Sequence, residues 1–302
     1  MKMVAASGAE IPSLGFGTHG MSREHILRTI PAALSAGFRH IDTAQIYRNE
    51  EAVGECVQAS GLDRADVFVT TKVWVASYAK GAFAASVDDS LRKLRTDYID
   101  LLLLHWPHPN VPLGEQIAGL NAAVEAGHVR HIGVSNFTRQ LLAEAVRISE
   151  APIVTNQFEY HPYLNQRLLI DECRRLGVSV TAYCGMAVGQ VFDDPVLLEI
   201  ADRRAKTVAQ IVLRWLIQQD GVVALTRTTN PARIPANLNV FGFELNPDDM
   251  RAISHLATSD GRIVNPTGLA PAWDPTPALA AQFASAPRED LPCETDLLER
   301  FE

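Results

Sequence analysis

Four ionisable side chains lie at or just after the ends of three consecutive apolar stretches of the sequence. The stretch Phe38–Asp42 ends in a carboxylate, and Tyr47 follows five residues later. The next two stretches, Val67–Lys72 and Ile99–His105, end in an amine and an imidazole. An acid, a phenol, an amine and an imidazole at neighbouring strand ends fit the reduction of a carbonyl group, because delivery of a hydride to the carbonyl carbon builds negative charge on the oxygen and a donor must supply a proton.

The phenol of Tyr47 is the candidate proton donor of this set. The reference pKa of a tyrosine is about 10, which is too high for an efficient acid at neutral pH. A neighbouring ammonium lowers that pKa by stabilising the phenolate. Lys72 follows the buried run FVTT and needs an anionic partner, for which Asp42 is the candidate. His105 could donate a second hydrogen bond to the carbonyl oxygen.

The elements that must position these residues are strands and helices in regular alternation. Helical segments such as Arg23–Ser35, with Ser22 as its N-cap, and Glu50–Ala59 precede the strands. Continuous apolar runs such as LLLL are typical of parallel strands covered on both faces. Eight βα units without a linker predict a closed (β/α)8 TIM barrel, with strands at Leu14–Thr18, Phe38–Asp42, Val67–Lys72, Ile99–His105, His131–Ser135, Ile153–Gln157, Val178–Tyr183 and Val222–Leu225.

The two ends of the chain lie outside this alternation. The first residues, with Gly8 between two short runs, predict a hairpin that caps the barrel floor. From about residue 261 the chain is rich in Pro and Ala, and it ends in an acidic segment, Glu289–Glu302. We expect an extended loop and tail that either packs over the barrel or forms a lid or dimer contact. We interpret residues 1–302 as a single domain.

The stretch GFGTHG, residues 15–20, matches the glycine fingerprint of Rossmann dinucleotide domains, and Asp42 lies where that motif places its ribose ligand. However, Pro12 lies in the run before the first glycine and makes it a poor central strand. The helix is also predicted to begin at Arg23, beyond the third glycine. We therefore expect Gly15 and Gly17 to let the chain turn at the mouth of the barrel.

The composition limits the classes of partner. A formal net charge of −8 argues against a surface for nucleic acid or other polyanions, so any phosphate site must be a local basic cluster. The cysteines Cys56, Cys173, Cys184 and Cys293 are scattered and are interpreted as reduced thiols. No stretch has the length of a signal peptide core or of a membrane helix. We expect a cytoplasmic protein without a membrane partner, as a monomer or weak homo-oligomer.

Five separated motifs, HIDTAQIYRNEEAVG, FVTTKVW, LLLLHWP, IGVSNF and TNQFEYHP, together strongly resemble the aldo-keto reductases. The resemblance extends from about Ile11 to Leu245. It implies a (β/α)8 barrel with a nicotinamide cofactor across its mouth, usually NADPH, and reduction of an aldehyde or ketone. It also implies the catalytic tetrad Asp42, Tyr47, Lys72 and His105, with Tyr47 as the general acid.

The same resemblance implies cofactor-binding residues. Ser135, Asn136 and Gln157 match positions that bind the nicotinamide carboxamide, and Tyr183 matches the aromatic that stacks on the ring. Thr18 and Asp42 are expected beside the cofactor, Thr18 near the nicotinamide ribose. The adenosine 2′-phosphate would be held by residues of VALTRTTNPARIPANL, namely Arg227, Thr228, Arg233 and Asn237. An arginine has the positive charge and the hydrogen-bond donors that a phosphate requires, so NADPH is favoured over NADH as the cofactor.

Two regions depart from the family pattern or vary within it. Cys184-Gly185-Met186-Ala187 replaces the usual pyrophosphate loop, so the residues that contact the pyrophosphate are not assigned, although Gly185 permits close approach of the backbone.

Residues of the loops over the mouth should line the substrate pocket and favour carbonyl compounds with apolar bodies. The substrate candidates are Tyr47, His105, His19, Met21, Trp74, Trp106 and Trp273.

Two other functions remain open at this point. A metal-dependent barrel hydrolase could use the pairs His105/His108 and His128/His131, although Pro107 interrupts the first pair and His128 is expected on the opposite rim, so no metal site is predicted. A non-catalytic sensor that binds NADPH would have the same fold. The intact tetrad favours the reductase.

Overall fold

The eight predicted strands form one closed parallel barrel, in which each strand pairs with its neighbours along the chain and the last pairs with the first. The computed structural model describes residues 2–79 and 81–275, so the expected tail Glu289–Glu302 and Cys293 lie outside the described residues. The barrel strands are β3 (Leu14–Gly17), β4 (His40–Asp42), β5 (Phe68–Val73), β6 (Ile99–Leu104), β7 (Val129–Ser135), β8 (Ile153–Glu159), β9 (Ser179–Tyr183) and β10 (Val222–Thr226). The prediction of a (β/α)8 barrel is confirmed.

Helices alternate with these strands around the outside of the barrel. They are α1 (Arg23–Ala36), α2 (Glu50–Ala59), α3 (Ala82–Leu94), α4 (Leu113–Glu125), α5 (Arg139–Ile148), α6 (Arg167–Arg175), α7 (Pro195–Arg204), α8 (Val208–Gln218), α9 (Ile234–Leu238) and α10 (Pro247–Ser254). The N-cap prediction for α1 is confirmed, because the Ser22 hydroxyl accepts a hydrogen bond from the backbone N–H of His25.

The run of four leucines in β6 is buried on both faces of the barrel wall. Leu101 and Leu103 belong to the inner cluster, whereas Leu102 and Leu104 pack among the helices. Because successive side chains of a strand point to opposite faces, a fully apolar run requires apolar surroundings on each side. This double burial fixes the position of His105, which directly follows the strand.

The N-terminal hairpin is confirmed. Strands β1 (Met3–Ala6) and β2 (Ala9–Pro12) pair antiparallel, and they are joined by a turn at Ser7 and Gly8, which both have positive φ. The hairpin buries Val4 and Ile11 against interior side chains of the strands, including Leu101, Val154 and Val223. It therefore closes one end of the barrel and leaves the other end for ligands.

Strand β4 begins at His40, two residues later than predicted. Gly37 ends α1 in the left-handed region at φ 113°, and the N–H groups of Gly37 and Phe38 bond back to Ala33 and Leu34. Phe38 is fully buried, but its backbone terminates the helix instead of joining the sheet. The predicted strand was too long because Phe38 has an apolar side chain typical of a strand, whereas its backbone belongs to the cap of α1.

The glycines of GFGTHG do not all act as predicted. Gly15 lies within β3, where an added Cβ would be 2.6 Å from Cδ2 of Leu225 and 2.7 Å from Nδ1 of His40. Its role is close packing inside the barrel rather than a turn. The left-handed residue of this loop is Gly20, with φ 66°. The expectation that Gly15 turns the chain at the mouth is therefore wrong.

Candidate active site

Asp42 and Lys72 form a buried ion pair at the open end of the barrel. Asp42 is the last residue of β4, and Lys72 lies in the neighbouring β5. Nζ of Lys72 is 2.6 Å from Oδ1 of Asp42 and also donates to the carbonyl of Thr43 at 2.8 Å. The other carboxylate oxygen accepts from Nε2 of Gln157 at 2.8 Å. Burial opposes the charge of Lys72, but Asp42 and Tyr47 outweigh it and raise the pKa of the ammonium.

Tyr47 lies over this pair. It ends a single 3-10 turn, Gln45–Tyr47, that follows β4, and the Gln45 amide holds the turn by accepting from the N–H of Trp74. The centroid of the Tyr47 ring is 5.2 Å from Nζ of Lys72. Burial raises the pKa of the phenol, Lys72 lowers it in part, and the net direction is upward. Lys72 thus lowers the pKa of Tyr47 as expected, but burial has the larger effect in the protein alone.

His105 supplies a neutral imidazole beside the phenol. The ring centroids of Tyr47 and His105 are 5.6 Å apart, with the rings edge to face. The carbonyl of His105 accepts from Nδ2 of Asn136 at 3.0 Å. Burial first, and then the charge of Lys72, hold the pKa of His105 well below its usual value. Its Nδ1 is buried without a partner among the described residues.

Further rings line the mouth on both sides of Tyr47 and His105. The His19 ring lies 4.9 Å from that of Tyr47, and the Trp74 ring lies 5.3 Å from that of His105. Met21 was a substrate candidate as well, but it is only 4% exposed and packs in the core, where its sulfur accepts from the Thr29 hydroxyl. The prediction that Met21 faces the pocket is wrong, because the chain turns inward after Gly20.

The ends of β7, β8 and β9 bring four of the cofactor-binding candidates together. Asn136 adopts φ 64°, and its N–H and the Ser135 hydroxyl both donate to the carbonyl of Gln157 at 2.8 Å. The Tyr183 hydroxyl donates to Oδ1 of Asn136 at 2.7 Å. Burial and the nearby carboxylate of Glu159 raise the pKa of Tyr183 well above its usual value, so the phenol remains a donor.

A second group of polar residues follows β10. Nε of Arg227 donates to the carbonyl of His19 at 2.7 Å, so it spans from β10 to the loop after β3. Nδ2 of Asn237, in α9, donates to the Thr226 hydroxyl at 3.1 Å, and Arg233 is exposed just before that helix. Thr228 bonds with the backbone of Asn230. Thr18, which directly follows β3, donates to the carbonyl of Asp42 at 3.0 Å.

Comparison with known proteins identifies this arrangement. A sequence profile of the aldo/keto reductase family matches residues 13–258. The chain belongs to the aldo/keto reductase family. The methylglyoxal reductase DkgB of Yersinia pestis is 39% identical over 267 residues, which cover 87% of this chain and 99% of that protein. A curated aldo-keto reductase of Mycobacterium avium is 41% identical over 249 residues, which cover 82% of this chain and 87% of that protein.

Solved structures agree with this assignment to the aldo/keto reductases. One, provisionally named 2,5-diketo-D-gluconic acid reductase B, is 56% identical with a TM-score of 0.90 and covers 91% of this chain and 98% of its own. A variant of Gox0644 solved in complex with NADPH is 31% identical with a TM-score of 0.82, covering 88% and 97%. The family resemblance read from the five motifs is confirmed, and the protein is an oxidoreductase.

One buried carboxylate of this aldo/keto reductase was missed by sequence reasoning. Glu159, at the end of β8, is fully buried, and its carboxylate accepts from the N–H groups of Ile263 and Val264 at 2.7 and 3.0 Å. Nε2 of His161 lies 2.9 Å from Oε1 of the same carboxylate, and Nη1 of Arg262 lies 3.5 Å from its Oε2. Glu159 stands in the motif TNQFEYHP, so an acid ending a buried strand was the available signal.

These contacts fix a C-terminal segment, residues 258–274, across the reductase barrel. The Arg262 guanidinium stacks 3.7 Å from the centroid of the Trp273 ring, and Trp273 lies 6.2 Å from the ring of Trp106. Asp274 accepts from the first N–H of α5, at Arg139, at 2.8 Å. Trp106 is buried and Trp273 is half-buried, so Trp273 is the more solvent-exposed of the two rings.

The divergent loop and the rival histidine pairs are also located. In the loop, Cys184 and Ala187 have φ of 57° and 45°, and a 3-10 segment, Ala187–Asp193, follows. His105 lies at the open end of the barrel, while His128 precedes β7 at the other end. Within the described parts of the chain, no three His, Cys, Asp or Glu residues are grouped to hold a metal.

None of the helices described is long and apolar enough to cross a membrane.

Proposed function

We propose that this protein reduces aldehydes and ketones to alcohols with NADPH, with Tyr47 as the general acid. The observation that carries the proposal is the buried pair of Asp42 and Lys72 directly beneath the Tyr47 ring. A phenol with a raised pKa keeps its proton at neutral pH, and the ammonium stabilises the phenolate left behind when that proton is given up. The reaction thus needs no proton from bulk water at the moment of transfer.

His105 orients the reacting oxygen in this proposal. An unpartnered buried N–H costs more than an unpartnered acceptor, so the orphaned Nδ1 favours the tautomer with its proton on Nε2. The low pKa keeps the ring neutral. Nε2–H then donates to the same carbonyl oxygen that receives the proton of Tyr47, which polarises the carbonyl and fixes its direction.

The residues at the mouth fit a bound nicotinamide cofactor. When bound, NADPH would supply the hydride that the carbonyl carbon accepts. A carboxamide has both donors and an acceptor, and Asn136, Ser135 and Gln157 present both kinds of group at the ends of β7 and β8. Oδ1 of Asn136 accepts from the Tyr183 hydroxyl, and the proposal is that the carboxamide would take the place of that hydroxyl while the Tyr183 ring stacks on the nicotinamide.

The preference for NADPH rests on the cluster after β10. Arg227 and Arg233 carry two guanidinium groups within one short stretch, and guanidinium groups bind phosphate oxygens through charge-assisted hydrogen bonds. Asn237 and Thr228 would complete the 2′-phosphate site.

Two relatives are named for methylglyoxal and 2,5-diketo-D-gluconate, so small carbonyl compounds with several oxygens are the first substrates to try.

The test is a panel of carbonyl compounds, including methylglyoxal and an aromatic aldehyde, run with NADPH and with NADH. Loss of the reduced-cofactor absorbance with NADPH is the expected result. Tight NADPH binding without turnover of any compound would instead favour a sensor. Equal rates with the two cofactors would remove the 2′-phosphate site from the proposal.

A further inference from the structure

The turn that carries Tyr47 is open to solvent on its outer side. None of the residues Gln45–Tyr47 is fully buried, the Ile46 side chain is 38% exposed, and Arg48 after the turn is exposed as well. A surface cavity of about 240 Å³ adjoins the turn, and its lining includes Gln45, Ile46, Trp74 and Lys93. Because apolar packing on this side is sparse, hydrogen bonds must fix the place of the turn.

The backbone of the turn does not attach it to the neighbouring strand. The N–H groups of Tyr47 and Arg48 donate to carbonyls within the turn, those of Ala44 and Gln45. Apart from a bond between the Tyr47 phenol and Lys72, the hydrogen bonds described between residues 44–48 and other elements all involve the Gln45 amide. The position of the turn therefore depends on this one side chain.

The Gln45 amide bonds to two elements at once. Its Oε1 accepts from the N–H of Trp74, directly after β5, at 2.9 Å. Its Nε2 donates to the Ser86 carbonyl and to the Ser90 hydroxyl, both in α3 and both at 3.1 Å. Since a backbone N–H only donates and a carbonyl only accepts, these partners also fix which end of the amide is which.

The partners of the amide belong to a rigid, buried frame. Ser90 is fully buried and bonds the carboxylate of Glu50, which is 2% exposed and accepts from the Thr71 hydroxyl at 2.6 Å. Thr71 directly precedes Lys72 in β5. The amide of Gln45 thus ties its turn to the strand of Lys72 along two routes, one through the backbone after β5 and one through α3.

We propose that Gln45 is a positioning residue whose amide sets the separation between the Tyr47 phenol and the Lys72 ammonium. The centroid of the Tyr47 ring lies 5.2 Å from Nζ of Lys72, and the attraction between an ammonium and a phenolate weakens with distance. A displaced turn would therefore lose part of the support for the phenolate. This inference rests on the proposed reductase function and adds to it a residue that acts through Tyr47.

Gln45→Met and Gln218→Met are a matched pair of variants. Methionine has nearly the length of glutamine but lacks the amide. Gln218, at the end of α8, is half-buried like Gln45, and its amide also bonds backbone groups, accepting from the N–H of Leu245 at 2.9 Å and donating to its carbonyl at 2.8 Å. Thermal unfolding shows how much stability each amide supplies, and a merely structural role predicts that the two variants behave alike.

The first measurement is steady-state kinetics of carbonyl reduction with NADPH. We expect Gln45→Met to lower kcat about 10- to 100-fold, the range that a misplacement of about 1 Å can cost, and to leave the Kd of NADPH unchanged. Gln218→Met should keep the kcat of the parent protein. A normal kcat in Gln45→Met, or equal losses in the two variants, would overturn the inference.

The second measurement is the titration of the Tyr47 phenol, followed by fluorine NMR in protein labelled with 3-fluorotyrosine. The label lowers the pKa of every tyrosine and so brings the titration into a milder pH range, and the signal of Tyr47 is the one that Tyr47→Phe lacks. The ionisable groups that face this phenol are the same in every protein compared, namely Asp42, Lys72, His19, His105 and Tyr183.

We expect the pKa of the Tyr47 phenol to rise by about 0.5 to 1 pH unit in Gln45→Met, because Lys72 lowers that pKa less from a greater distance. Gln218→Met should leave it unchanged. A pKa that stays the same or falls in Gln45→Met would overturn the inference. The titration needs no turnover, so it decides the role of Gln45 even if no carbonyl compound is reduced.

Discussion

Nζ of Lys72 lies 2.6 Å from Oδ1 of Asp42, and the two side chains are only 1% and 4% exposed. A charge buried this deeply depends on its partner, because the isolated ion would carry the full cost of leaving water. The pair therefore couples the stability of the barrel to the chemistry at its mouth. This coupling can be measured separately from catalysis.

A double-mutant cycle on Asp42 and Lys72 should show the coupling. We expect Asp42→Asn and Lys72→Met each to lower the free energy of unfolding by about 3 to 5 kcal/mol, because each leaves one buried polar partner uncompensated. The double variant should regain much of that loss and remain inactive. Denaturant unfolding measures the stabilities; strictly additive losses would show that the pair is not coupled.

Tyr47→Phe should lower kcat for carbonyl reduction by about 100- to 10,000-fold, since it removes the proposed general acid from the site. The Kd of NADPH should stay within about 2-fold, because the Phe ring keeps the contacts with His19 and His105. Steady-state rates and fluorescence titration measure the two effects. Tyr98→Phe, whose ring lies against Arg64 and Arg130 at the opposite rim, is the matched control and should retain activity. A normal kcat in Tyr47→Phe would refute the acid assignment.

Arg227→Ala should raise the KM for NADPH at least about 10-fold, the value of one charge-assisted hydrogen bond or more, and that for NADH much less. Arg28→Ala is the control, because Arg28 is a nearby exposed cation that donates to the Thr229 carbonyl and should leave the NADPH-to-NADH ratio unchanged. Steady-state kinetics with each cofactor measure the ratio. Similar increases for both cofactors would remove Arg227 from the 2′-phosphate site.

His105 should make the protein less stable in mild acid. Its pKa in the folded state is well below the unfolded value of 6.5, so below about pH 6.5 the unfolded chain binds a proton that the folded protein does not. Stability from this residue is complete above that pH and is lost as the pH falls. Between pH 7.5 and 5.5 the loss reaches about 1.4 kcal/mol for one histidine.

Denaturant unfolding at the two pH values measures this loss. His105→Gln should lose about 1.4 kcal/mol less than the parent protein over the same interval. The exposed His255, at the end of α10, provides the control variant His255→Gln, which should lose as much as the parent. His19, His40 and His131 also have lowered pKa values, so a residual slope is expected in every variant. Identical losses in the parent and in His105→Gln would contradict this origin.

The positions of Asp42, Lys72 and His105 were predictable because strand ends of a parallel barrel converge on one rim, and each residue ends an apolar run. Two levels of detail were not predictable. Phe38 has the side chain of a strand residue, but its N–H completes the cap of α1. The pKa of Tyr47 depends on how far burial outweighs Lys72, which only the packed structure determines.

The contacts of Glu159 were hidden for a different reason. Its partners Ile263 and Val264 lie more than one hundred positions away, in a Pro- and Ala-rich stretch without helical or strand periodicity. Backbone N–H groups leave no mark in a sequence, so nothing identified them as the groups that bond this carboxylate. Met21 was misassigned similarly, since a side chain one residue past a turn can face the mouth or the core.

The C-terminal segment is bonded to the barrel near its start, by Glu159, and near its end, through Asp274 on the first turn of α5. Between them, residues 265–273 touch neither Asp42 nor Lys72 through any hydrogen bond described here. Insertions or replacements in this interval can therefore reshape the wall that carries Trp273 without disturbing the proton donor. If Trp273 lines the proposed substrate pocket, substrate choice can change in this segment while the proposed proton donor and its ion pair stay unchanged.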